Sequence, residues 1–319
     1  MNKRLQRDAL IADLAGVEAF IAAFPKNDPI GRYMFERRAD ELRAKLAELG
    51  RQADTLASVA LIFGGTPVSG SRTISTQFAA KALSSYQDLV SKKLASTETG
   101  GLARRGPVPV KKASDLHISN VVHGSFGFLL EENDPDGVPL FASSLKEAIQ
   151  EVSVAIDAAA TADEATFGHL VDEMDERVFS ALRTFFHALH EDGAVLRLVE
   201  GETDHRLDAA SVERAFRRVD EIQITSEESE VHGMILGVLP VSGTFEFELH
   251  PSKEVVKGRV GPQFSREYLQ KIENDENVIK KPTRATLYTK ITQRHGGRPQ
   301  RKNILVDFTV LAAGFPDAP

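Results

Sequence analysis

The chain has 319 residues, a formal net charge of −7, 42% hydrophobic residues and 27% charged residues. That length exceeds one ordinary domain and that composition excludes a wholly disordered chain, while the lack of cysteine excludes disulfides, thiolate metal sites and a cysteine nucleophile. No apolar run reaches the roughly 18 residues of a membrane helix and the first residues lack the apolar core of a secretory leader, so a soluble cytoplasmic protein with no membrane partner is expected.

Residues 3–24 place Leu10, Leu14, Val17, Ile21 and Phe24 at alternating spacings of four and three; residues 32–50 repeat the rhythm with Phe35, Ala39, Leu42, Leu46 and Leu49. Both are narrow seams with a period of about 3.5, which lets one helix lie along another. Between them Asp28 suits an N-cap, Pro29 the first helical position, and Gly50 marks a stop. The spacing predicts an antiparallel helical hairpin over 1–52, about 30 Å long. A hairpin with one seam per helix buries little by itself, so it is expected to dock on its own chain or on another protein.

The second region, 53–217, begins with the near-continuous apolar run Ala57–Phe63, the pattern of a strand covered on both faces. It enters a Gly-rich loop, 64–72, ahead of a helical pattern carried by Phe78, Ala82, Tyr86, Leu89 and Val90. Strand, glycine loop and helix can aim backbone N–H groups at an anion. Gly70, Ser71, Arg72 and Thr73 are therefore candidate phosphate contacts, although the loop matches neither nucleotide fingerprint. Strands are expected at Leu116–Asn120 and Val122–Leu130. Ser125 sits in this strand pattern rather than on the strand-to-helix elbow a nucleophilic serine uses.

Helices are expected at 143–160 and through the acidic stretch 164–192, then short strands at Ala194–Val199 and Asp204–Leu207 and a helix at 208–218. His169 with Asp172, Glu173 and Glu176, and His187 with His190 and Glu191, share helical sides. Neither set has the spacing of a known zinc or di-metal motif, so solvated faces are expected and neither a metal nor a cofactor. The order of elements lacks a βαβ rhythm, which favours α+β over a doubly wound sheet.

The last region, 218–319, reads as strand, strand, strand, helix, strand, strand, with strands at Val231–Leu239, Thr244–His250, Glu254–Val260, Thr283–Gln293 and Asn303–Leu311 and the helix at 264–274. This order resembles that of an OB-fold, a small Greek-key barrel, and Gly233 and Gly237 stand where its first strand would bend. The second strand alternates Phe245, Phe247 and Leu249 with Glu246 and Glu248, so its outward face repels phosphate. Residues 277–302, by contrast, carry eight Lys/Arg and no Asp/Glu. Alternation puts Ala285, Leu287 and Ile291 inward and Arg284, Tyr288, Lys290 and Arg294 outward, with Arg298, Arg301 and Lys302 near a hairpin tip. Such a ribbon suits phosphate tracking, or a charged sheet edge.

Charge is segregated along the chain: residues 131–232 hold 25 Asp/Glu against 8 Lys/Arg, whereas residues 251–303 hold 13 Lys/Arg against 5 Asp/Glu. The two can face one another or recruit partners. The reading that follows is a non-enzymatic binding or assembly protein that works through its hairpin seam and charged faces, by self-association or with a protein partner. The alternatives are a nucleic-acid binder using the basic ribbon, and an enzyme or phosphate-ligand binder using the Gly-rich loop.

Overall fold

The computed structural model describes residues 2–23, 29–51, 55–70, 72–102, 106–122, 126–133, 141–239, 243–261, 278–294, 299–312 and 315. In chain order they form α1 (Lys3–Ala23), α2 (Pro29–Arg51), β1 (Ser58–Gly65), β2 (Val68–Ser69), β3 (Thr73–Ile74), α3 (Thr76–Thr99), β4 (Leu116–Val122) and β5 (Phe126–Glu132). There follow α4 (Ser144–Thr161), α5 (Glu164–Glu173), α6 (Glu176–Glu191), β6 (Ala194–Glu200), β7 (Thr203–Leu207) and α7 (Ala209–Asp220). The last five are β8 (Ile222–Leu239), β9 (Thr244–Leu249), β10 (Val255–Val260), β11 (Pro282–Arg294) and β12 (Gln300–Val310). Among the described residues no helix is long and apolar enough to cross a membrane. The architecture is α+β. The chain divides into two units, one of residues 1–94, 110–167 and 181–216, the other of 95–109, 168–180 and 217–319.

In the first unit the strands run in the order β4-β5-β1-β6-β7, every neighbouring pair antiparallel. The apolar run of β1 is central and buried on both faces, as its lack of alternation requires. Ala60 and Ile62 cluster with Leu129 and Val199, and Leu5 of α1 packs against them. Phe63 meets Phe78 of α3 edge-on, with centroids 5.2 Å apart. Leu145, Ile149, Val152 and Ile156 of α4 are buried, as are Leu182, Phe185 and Leu189 of α6. Side chains satisfy the helix starts: Ser143 accepts from the Lys146 N–H at 3.1 Å, Asp163 from the Thr166 N–H at 2.9 Å, and Asp208 from the Ser211 N–H at 2.8 Å.

The hairpin forms as its period demands. From Asp8 to Ala23 only Leu10, Leu14, Val17 and Ile21 are shielded; from Arg32 to Arg51 only Phe35, Ala39, Leu42, Leu46 and Leu49 are. Phe20 stacks on Phe35 at 5.8 Å, and Arg43 pairs with Glu18 at 2.7 Å, which sets the helices antiparallel. Asn2 fixes the root: its side-chain oxygen accepts from the Leu5 N–H at 3.2 Å, and its amide donates to the Val199 carbonyl at 3.2 Å.

In the second unit five strands close into a ring, β10-β12-β11-β8-β9, with β9 pairing back to β10. All pairs are antiparallel except β10 with β12. The ring encloses Ile235, Phe245, Phe247, Val278, Ala285, Leu287, Leu305 and Phe308. At Gly233 a Cβ atom would stand 2.0 Å from the Glu248 carbonyl oxygen, so only glycine admits that strand crossing. The bend expected near Gly237 is a register shift between Ile235 and Gly237. Two expectations change. The first ring strand starts at Ile222, nine residues before Val231, and the acidic stretch is two helices rather than one, α5 and α6. The break falls at Asp175, whose carboxylate accepts the Arg177 N–H at 2.8 Å as a cap. The helix expected over 264–274 lies outside the described residues.

Candidate interaction surfaces

The early start of β8 builds the main surface of the second unit. Residues Ile222–Val231 pair with Ala285–Arg294 of β11, whereas β9 pairs with β8 only from Gly233 onward. The result is a ribbon running beyond the ring. Ile222, Ile224 and Ser226 fall on the same face as Thr292, Lys290 and Tyr288, by register and the two-residue repeat. The alternation read from the sequence puts Lys290 on the right side of its strand. Solvent does not fill that side: Lys290 is 7% exposed, which corrects its expected place on an open basic face. Residues 171–176 cover it.

The chemistry of the cover explains the burial. The Lys290 ammonium donates to the carbonyls of Val171 at 2.7 Å, Asp172 at 2.9 Å and Met174. The cation thus caps the last turn of α5 and the carbonyl just beyond it, joining the Met174 N–H, 3.2 Å away, on the Val171 carbonyl. Burial pulls Lys290 down to about 8, against the pull of Asp172 in the other direction. Beside it, Tyr288 donates to the Ser226 hydroxyl at 2.7 Å, and Ser226 donates to Glu176.

Arg294, Lys302 and Arg284 are also engaged within the unit. Arg294 stands 3.7 Å from the Asp172 carboxylate, and Gly168 makes room for it, because a Cβ there would lie 2.6 Å from the guanidinium. Glu173 takes Lys302 at 3.0 Å and Arg259 at 2.7 Å, and Lys302 foremost holds its carboxyl below the usual range. Arg284 lies 3.8 Å from Glu230. Arg301 is exposed, and Arg298 lies outside the described residues.

The Gly-rich loop is a small hairpin, Val68–Ser69 on Thr73–Ile74, with Gly70 at φ 64° in its turn. Gly70, Arg72 and Thr73 are exposed; Ser71 lies outside the described residues. The Thr73 hydroxyl donates to the Ser69 carbonyl at 3.0 Å, and Ser75, beyond the hairpin, accepts from the Phe78 N–H at 3.4 Å at the start of α3. The glycines therefore shape a turn ahead of the helix, and the helix start is met by its own serine. Ser125 is outside the described residues.

The histidine clusters separate. His190 stacks on Phe216 of α7 at 3.9 Å and pairs with Glu213 at 2.7 Å, while His187 meets the same ring at 4.8 Å. They clasp α7. The other cluster loses its spacing at the break between α5 and α6, and its Asp172 and Glu173 face cations. Among the described residues no three metal-ligating side chains gather.

No family model, curated protein or solved structure matches this chain. The functional reading therefore rests on surface chemistry, and the hairpin offers the most of it. Outside the seam Ile11, Phe20, Tyr33 and Met34 stay exposed, the last three at 62%. Sequence reasoning found the seam but passed over these residues, which stand off its period. It also passed over Ser226, although Ile222, Ile224 and Ser226 alternate as a strand does.

Proposed function

We propose that the protein is a non-enzymatic binding and assembly component, whose helical hairpin joins the hairpin of a second copy. The observation that carries this reading is an arm closed along a single seam, with Ile11, Phe20, Tyr33 and Met34 left in water. Large apolar side chains left exposed along one arm suit a contact surface. Charge favours a second copy as the occupant. Residues 1–52 hold ten Lys/Arg and eight Asp/Glu, close to neutral, so two arms approach without the repulsion of the acidic middle region. In this reading the ring is a small OB-like barrel, supported by its strand order and by the one parallel pair of β10 with β12. Against the polyanion alternative, Lys290, Arg294 and Lys302 each serve a contact within their own unit. The phosphate-loop alternative rests on a turn whose described candidates, Gly70, Arg72 and Thr73, are all exposed.

Light scattering tests the proposal. The wild-type chain should run at a multiple of 34.9 kDa, and Tyr33→Asp with Met34→Asp, at two exposed positions outside the seam, should return it to the single-chain mass without lowering its melting temperature. A wild-type mass of one chain at all concentrations overturns the reading. Deleting the arm is a poorer test, because Asn2 and Leu5 at its root belong to the first unit's core.

A further inference from the structure

A second surface lies on the ribbon of the other unit, independent of the hairpin. From Gln223 to Val231, β8 has β11 on one side and, among the described residues, no strand on the other, because β9 reaches only to Gly233 and the last bond on that side runs from the His250 N–H to the His232 carbonyl. Among the described residues no backbone hydrogen bond reaches the outer edge of these nine residues. An edge that long, about 30 Å at roughly 3.4 Å per residue, presents a row of donors and acceptors spaced to receive another strand.

The side chains along it have one sign. Glu227, Glu228, Ser229 and Glu230 are all exposed. Arg284 stands near Glu230, but among the described residues no cation pairs with Glu227 or Glu228. Charges on an edge turn away strands of like sign. An antiparallel second copy of β8 would bring these glutamates against their own equivalents, which cross-strand pairing disfavours. Glu227 and Glu228 point to opposite faces of the strand, so the same charges draw in a strand with Lys or Arg at adjacent positions, because opposite-charge cross-strand pairs are favourable.

We propose that the open edge of β8, residues 223–231, binds an extended Lys/Arg-bearing segment of a partner protein by strand addition. Backbone hydrogen bonds supply the affinity in this mode and alternate side chains the selection. Glu227 and Glu228 are the selecting residues.

The test uses the full chain and a labelled nine-residue peptide of valine and threonine with two adjacent lysines at its centre, one for each face of the strand. Anisotropy should report saturable binding at low salt. Hydrogen exchange should slow at amides in 223–231. Glu227→Gln with Glu228→Gln should weaken binding by about tenfold, as should N-methylation of alternate peptide amides, which removes donors and leaves the charge. Three results overturn the proposal: no saturable binding, equal binding of the N-methylated peptide, or protection confined to another segment. Edge amides already protected in the free protein, in step with its self-association, would give the edge to a second copy and overturn it too. None of these readouts depends on the hairpin, so this proposal and the assembly proposal fail separately.

Discussion

Lys290 shows how far one residue's surroundings can redirect its chemistry. On a free ribbon a lysine contributes little to stability, since exposed charges are well solvated. Here its ammonium is the donor for three carbonyls at the end of α5. Lys290→Met keeps the apolar stem but takes the donor from the Asp172 and Met174 carbonyls, while Val171 keeps the Met174 N–H; buried unmet acceptors cost about 1–3 kcal/mol each before relaxation. The expected loss is about 2–3 kcal/mol in a urea titration. Arg301→Ala, at an exposed position of the same basic segment, should stay within about 0.5 kcal/mol. Equal effects would mean that the ribbon is solvated along its whole length. The pH sense follows from the depressed value: the cost of a buried charge is fully present below about pH 8 and is relieved as pH rises toward 10.5. Lys290→Met should therefore leave less variation of stability across that window than the wild type shows.

At the scale of elements, legibility followed the kind of constraint each segment obeys. The hairpin was readable because its seam must repeat along its length, and Leu42, 1% exposed, sits at its centre. Leu42→Ala should cost the hairpin about 2–3 kcal/mol, seen as faster hydrogen exchange in α1 and α2 with the strands of the sheet unaffected. Equal acceleration throughout the first unit would mean that the arm does not open by itself. The paired strands at Ala194–Val199 and Asp204–Leu207 were readable from turn residues and short apolar runs, and they extend by only a residue at each inner end. Two features were not readable. Periodicity continues across Asp175, so the break between α5 and α6 is set by a cap that competes with helix continuation only once the chain has somewhere to turn. Parity along β11 names the side on which Lys290 lies, but what covers that side comes from residues 168–180, more than a hundred positions earlier. The free edge of β8 was hidden for a related reason, since an edge is defined by where the neighbouring strand stops.

Across the whole molecule, the uneven charge is partly resolved by carboxylates held in defined contacts, and this sets the response to acid. Asp163 is held below the ordinary range by the Thr166 N–H and hydroxyl, and Asp208 by the Ser211 hydroxyl and N–H. Glu173 is lowered chiefly by Lys302, Glu191 by Lys81 and Asp204 by Arg197. A depressed folded value means that the unfolded chain binds the proton more readily, so stability rises with pH through that window. The contribution is fully present above the ordinary values of 4.5 for glutamate and 3.8 for aspartate, and is lost as pH falls through the lowered ones. The melting temperature should accordingly hold from pH 7 to about 5 and drop below about 4.5. Salt separates the two classes of contact. Glu173, Glu191 and Asp204 depend on ion pairs at or near the surface, which high ionic strength screens. Asp163 and Asp208 depend on hydrogen bonds at helix starts, which it screens far less. In about 1 M salt, where screening extends over only about 3 Å, the acid-induced drop should shrink but persist. A melting temperature that rose on acidification would contradict the assigned contacts, and a drop abolished by salt would remove the helix caps from among its causes.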